Sequence, residues 1–142
     1  MRHWTILPAV LLLPLTGCVT SLGELRELEP YRVTEVSADP DALSACTLRG
    51  VESSDELDPI YTIRQSADPV THRHDLTVRR MSDMITMRNI YALEASFIPV
   101  APGRTRVELR GIYEARGHLA GDPTWQHIMR CSKQLEQNHQ GK

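Results

Sequence analysis

The densest group of side chains able to do chemistry is His72-Arg73-His74-Asp75. In an extended segment His72 and His74 share one face and offer two imidazoles. Zinc takes at least three protein ligands and a fixed second shell, so His118 or His127 would have to join them; a solvated polar loop is the competing reading. His127 and Cys131 stand four residues apart, on one side of any helix through them, the spacing of a Cys–His nucleophile pair. Ser53, Ser54, Ser66, Ser82 and Ser96 lie in no Gly-x-Ser-x-Gly elbow, the carboxylates form no defensible pair, and no glycine-rich loop could cradle a phosphate. No cofactor is implied.

Cys18 differs from the other cysteines in what precedes it. Met1-Arg2-His3 is a basic start, and Trp4 to Leu15 is apolar apart from Thr5, broken by Pro8 and Pro14. As a helix, a dozen such residues reach roughly 18 Å, against a hydrocarbon core of about 30 Å, too short for a permanent span. A charged start, a short apolar stretch and a boundary of small residues describe a secretory signal. At that boundary stands Leu15-Thr16-Gly17-Cys18.

That tetrapeptide resembles the lipobox of bacterial lipoproteins: an aliphatic residue, a small one, Gly or Ala, then Cys. All four positions match, and the resemblance covers the signal and Cys18 alone. It implies cleavage before Cys18, diacylglycerol on the sulfur and acylation of the new amine. A thiolate suits this chemistry because it is a strong nucleophile at neutral pH. One acyl chain holds a protein only marginally, so a triacylated Cys18 would be a stable anchor. Val19 stands where retention in the inner membrane commonly uses Asp, so the resemblance points to the outer membrane, with the domain facing the periplasm. An ordinary signal that happens to contain a cysteine is the competing reading.

Removing residues 1–17 leaves 125 residues, enough for one domain with a single core. Residues 18–30 read as a lipidated tether with a short helix, and residues 31–142 as one α+β domain. Losing Arg2 leaves fifteen basic against eighteen acidic side chains, a net charge near −3 that argues against nucleic acid as a partner. With Cys18 lipidated, Cys46 and Cys131 remain in an oxidising compartment, and a disulfide is their natural fate. It would close a loop of roughly 86 residues and contribute about 4 to 5 kcal/mol at most. Two free buried thiols are the alternative; no CxxC spacing supports a metal. A bonded Cys131 could not be a nucleophile.

Ser21-Leu22-Gly23-Glu24 reads as a capping box, Leu22, Leu25 and Leu28 follow at helical spacing, and Pro30 stops the helix. Tyr31 to Val36 alternates as a strand. Asp39-Pro40 looks like an N-cap and first helical residue, with a helical turn over Ala42 to Cys46 and a strand over Thr47 to Val51. Tyr61 to Arg64 and Leu76 to Arg79 alternate with period two around a polar connection, Gln65 to Asp75, and Met84 to Asn89 reads as extended.

The plainest element is a hairpin over residues 89–113. Tyr91, Leu93, Ala95 and Phe97 share a face, Pro102-Gly103 suits a type II turn, and Val107, Leu109 and Tyr113 resume the alternation. The other face carries Glu94, Arg104, Arg106, Glu108 and Arg110. A last helix starts at Asp122-Pro123 and presents Trp125, Ile128, Met129 and Leu135, with Cys131 at the edge of the stripe.

These elements predict a small antiparallel sheet of about four to five strands with the C-terminal helix packed on one face. The function expected is non-catalytic: a lipid-anchored envelope protein that binds or supports another envelope component at the outer membrane. Arg104, Arg106, Glu108 and Arg110 are its candidate binding face, for an envelope protein or an anionic lipid; the solvated side of a sheet is the plainer reading of the same charges. The rival expectation is a periplasmic metal-binding protein or enzyme built on His72 and His74.

Overall fold

The computed structural model describes residues 21–57, 59–82 and 88–140. The signal, Cys18 and most of the extended segment expected over Met84 to Asn89 lie outside them. The chain forms helix α1 (Leu22–Glu27), strand β1 (Arg32–Val36), helix α2 (Pro40–Glu52), strands β2 (Tyr61–Ala67), β3 (His74–Ser82), β4 (Arg88–Ala101) and β5 (Arg104–Gly111), a 3-10 turn (Tyr113–Ala115) and helix α3 (Gly121–Gln140). The fold is α+β. Five strands make one antiparallel sheet in the order β1-β5-β4-β3-β2.

Alternation along the three central strands sorts the side chains. Leu76 and Val78 of β3, Leu93, Ala95 and Phe97 of β4, and Val107 and Leu109 of β5 are fully buried on one face. Leu43 of α2 and Ile128 of α3 join them in the main core. Burying side chains of this size contributes about 1.5 to 3 kcal/mol each. Asp75, Thr77, Glu94, Ser96, Glu108 and Arg110 point the other way, as the register requires: Asp75 pairs with Ser96, Ser96 with Glu108, Thr77 with Glu94 and Glu94 with Arg110.

Three local expectations are corrected. The strand read over Thr47 to Val51 is the second half of α2. Asp39 caps that helix by accepting from the amides of Asp41 and Ala42, and Leu43, Thr47 and Val51, four residues apart, make one buried stripe. Helical spacing and burial together outweigh the strand preference of Thr and Val. Cys46 therefore sits in mid-helix rather than at the start of a strand.

Tyr113 does not extend the apolar face of β5. The ladder ends at Gly111, the chain turns through the 3-10 segment, and Tyr113 is 85% exposed. The connection read over Gln65 to Asp75 is shorter than expected, since β2 continues to Ala67 and β3 begins at His74. The type II turn is consistent with Gly103, whose φ of 68° is left-handed and suits glycine.

Candidate functional site

The outer face of the sheet, the one turned away from α2 and α3, carries a network of paired charges, and α1 lies across it. Its capping box is complete: Ser21 Oγ accepts from the Glu24 amide at 3.1 Å and Glu24 Oε2 accepts from the Ser21 amide at 2.9 Å. These bonds start a six-residue helix too short to persist alone. Docking supplies the remainder. Leu25 is fully buried outside the main core cluster, and Arg26 reaches two strands at once. Its Nε donates to Glu94 Oε1 on β4 at 2.9 Å, and its Nη2 donates to Asp75 Oδ2 on β3 at 3.0 Å.

Glu94 is fully buried, and an isolated carboxylate there would be costly. Two guanidinium groups compensate. Besides Arg26, Arg73 donates from Nε to Asp75 Oδ1 at 2.8 Å and from Nη2 to Ser96 Oγ at 2.8 Å, and lies 3.6 Å from Glu94 Oε2. The bond to Glu94 holds the Arg26 guanidinium protonated even more firmly than usual, against a smaller opposing effect of burial. The arrangement is a closed exchange of charge between α1 and the sheet.

The four residues expected to form a binding face continue this network. Arg110 Nη2 donates to Glu108 Oε2 at 2.6 Å, and its Nε donates to the Leu28 carbonyl at 3.0 Å, just past the end of α1. Arg106 Nε pairs with Glu108 Oε1 at 2.9 Å. Arg104 Nη2 donates to Glu35 Oε2 on β1 at 2.6 Å. Glu108 is buried and Arg110 half-buried, so that pair is structural; Arg106 and Arg104 keep 46% and 57% of their side chains exposed. Every one of these arginines has a carboxylate partner inside the protein.

The histidines expected to meet a metal stand in different local settings. His72 is exposed, with a φ of 54°, in the turn whose Asp68 Oδ1 accepts from the amides of Val70 and Thr71 at 2.8 and 3.3 Å. Those bonds lower the Asp68 pKa. His74 is the first residue of β3, and its Nδ1 lies 3.8 Å from Asp41 Oδ1 in the first turn of α2. His127 is buried on α3, with Nε2 3.2 Å from Glu56 Oε2. Among the described residues no three His, Cys, Asp or Glu side chains are placed to hold a metal ion.

Cys46 and Cys131 form a disulfide that staples α2 to α3, with 5.9 Å between their Cα atoms. Four residues along α2 and four back along α3, Gly50 meets the ring of His127. This second contact shows the helices running antiparallel. Cys131 is thus a crosslink beside His127 rather than its nucleophilic partner.

Sequence reasoning missed two clusters. Arg26, which carries the α1 contact, stood unremarked between leucines that were read, and Arg73 and Asp75 were read only as part of a possible metal cluster; the signal was the Leu22, Leu25, Leu28 stripe, which demands a surface to cover it. At the other end of the sheet, Arg32 on β1 lies between the rings of Tyr31 and Trp125, 5.9 and 5.5 Å from their centroids, and bonds Asp122 of α3 at 2.6 Å. Arg116 covers Tyr31 at 5.1 Å. Burial raises the Tyr31 phenol to about 12, the nearby arginines opposing it only in part.

Comparison of the chain with models of known families, with curated proteins and with solved structures finds no match in any of the three.

Proposed function

We propose that the protein is a lipid-anchored component of a bacterial cell envelope, with a non-catalytic binding or structural role at the periplasmic side of the outer membrane. The observation that carries this reading is Leu15-Thr16-Gly17-Cys18 closing a short apolar stretch behind a basic start. A disulfide between Cys46 and Cys131 is in keeping with an oxidising compartment. Among the described residues no helix is long and apolar enough to cross a membrane. Attachment is assigned to acyl chains on Cys18 on the strength of the lipobox resemblance. The domain offers a sheet face whose Arg26, Arg73, Arg104, Arg106 and Arg110 are each paired with a carboxylate, suited to presenting a surface to an envelope protein or to lipid.

Intact-mass analysis of protein extracted from the membranes of its native cell tests the anchor. The expected mature chain begins at Cys18 and carries a diacylglycerol thioether and an amide-linked acyl group. Cys18→Ser should release the protein from membranes. A mature chain beginning elsewhere, unmodified and washed off by salt, would refute the reading.

A further inference from the structure

The docked helix α1 fixes more than the fold. Only Val19 and Thr20 separate Cys18 from the capping residue Ser21. Three steps of extended chain reach about 11 Å at most. Ser21 is locked to Glu24 by the reciprocal capping bonds, and α1 is locked to the sheet by Leu25, Arg26 and the bond from Arg110 to the Leu28 carbonyl. A lipid on Cys18 is thus connected to a fixed point on the outer face of the sheet by a leash no longer than about the width of one helix.

We propose that the protein lies with this charged face toward the bilayer that holds its anchor, α1 serving as the strap that sets the orientation, and with α2 and α3 directed away from the membrane. The occupant of the face is the lipid surface itself. The inference rests on the anchor proposed above and adds to it a direction. Exposed side chains on α1 and farther along the strands suit a headgroup layer. Arg104 and Arg106 retain exposed guanidinium groups, Arg26 is 41% exposed, and Val33 and Val100 are the exposed aliphatic residues of β1 and β4. Glu24, Glu27 and Glu29 balance those cations, so the net attraction to lipid is small and the leash, not charge, determines which way the domain faces. An undocked α1 would act differently: twelve steps of free chain from Cys18 to Pro30 span about 40 Å, and the domain could turn in any direction.

The test uses full-length lipidated protein, its mass verified, in phosphatidylethanolamine and phosphatidylglycerol vesicles containing a headgroup-attached quencher. One fluorophore is placed at Glu27→Cys on α1 and, in a separate sample, at Lys133→Cys on the exposed side of α3. Position 133 lies beyond the sheet and a helix, some 15 to 20 Å farther from the lipid, so quenching at position 27 should exceed it by at least about threefold. Inserting about twelve Gly and Ser residues between Thr20 and Ser21, a spacer with a span of about 20 Å, leaves every folded residue in place and should erase the difference. Arg26→Gln should reduce it by loosening the strap.

Equal quenching at the two positions in lipidated protein overturns the orientation and leaves the anchor standing. A difference that persists through the spacer shows that another surface holds the domain, and overturns the strap. Purified native protein without a lipid adduct removes the anchor and the inference together.

Discussion

Reducing or removing the Cys46–Cys131 bond should cost the protein a large share of its stability without changing its fold. The crosslinked residues are 85 apart, so the bond closes a loop of 86 residues. In the chain-entropy model such a loop restricts the unfolded chain by about 4.6 kcal/mol at 25 °C. The folded state needs no rearrangement to lose it, because α2 and α3 remain packed through Leu43, Ile128 and the contact of Gly50 with His127. Residual structure in the unfolded chain reduces the effect, so the working expectation is roughly 3 to 4.5 kcal/mol. For about 120 folded residues, an unfolding entropy near 0.25 kcal/mol/K makes this a fall in Tm of roughly 12 to 18 °C.

The assay is urea unfolding of the oxidised protein beside the Cys46→Ala, Cys131→Ala double variant. Trp125 on α3 is the only tryptophan after residue 4 and reports the transition by fluorescence. The tryptophan fine structure in the near-ultraviolet circular dichroism of the two proteins should match in the absence of urea, the band of the disulfide itself aside. A difference below about 1 kcal/mol at equal m would refute the entropic reasoning for a loop of this length. A variant that has lost its near-ultraviolet signal in water would show instead that the helix pair has no packing of its own.

Four further perturbations follow from particular contacts. Glu94→Gln removes the buried charge shared by Arg26 and Arg73, and should lower stability by roughly 2 kcal/mol, discounted from a fully buried pair because both arginines are partly exposed; an unchanged urea midpoint would refute it. Gly50→Ala places a Cβ 2.5 Å from His127 Nδ1, and crowding should outweigh the helix-propensity gain for a net loss of about 1 kcal/mol; a gain would show that the ring yields freely. Gly121→Ala should be worse, by roughly 3 kcal/mol or more, since its Cβ would collide with the Arg116 backbone carbonyl, which cannot swing aside as a side chain does. Tyr31 should ionise at about 12. Its raised pKa means the neutral phenol stabilises the fold fully below the ordinary value of 10.0, and the contribution is lost as pH rises through 12; the component missing from an alkaline absorbance titration of Tyr31→Phe identifies it.

What could be read from the sequence depended on whether a pattern was local. The capping box at Ser21, the Pro102-Gly103 turn and the alternation of Leu93, Ala95 and Phe97 each declare themselves within a few residues, and the structure contains all three. Thr47 to Val51 failed because a five-residue run of Thr, Leu, Arg, Gly and Val has strand preferences of its own, while its helical state depends on a cap eight residues upstream and on α3 packing across it. Arg32 joining Asp122, and Arg26 joining Glu94 and Asp75, are pairings over long separations that no spacing rule announces. The disulfide was legible for another reason: with Cys18 assigned to lipid, two thiols remained.

The charged face was the hardest feature to read because its two halves look alike in sequence and differ in the fold. Glu94 and Glu108 occupy the alternate positions that solvated residues of a strand would, yet both are buried. What covers Glu94 is α1, and the form of the contact matters for a helix so close to a proposed lipid anchor. Docked through leucines alone, α1 would leave an apolar patch on the sheet whenever it lifted, beside a membrane able to take it up. Docked through Leu25 and a forked arginine, it leaves Asp75, Glu94, Arg73 and Ser96 behind, a surface that water can solvate. The fork also makes the position specific. Arg26 satisfies Glu94 on β4 and Asp75 on β3 together only at one placement of the helix, whereas a leucine on a flat apolar face could slide. A strap that must hold a direction rather than merely adhere is better made of paired charges than of grease, and Glu94→Gln measures how much the fold depends on the pairing once it is built.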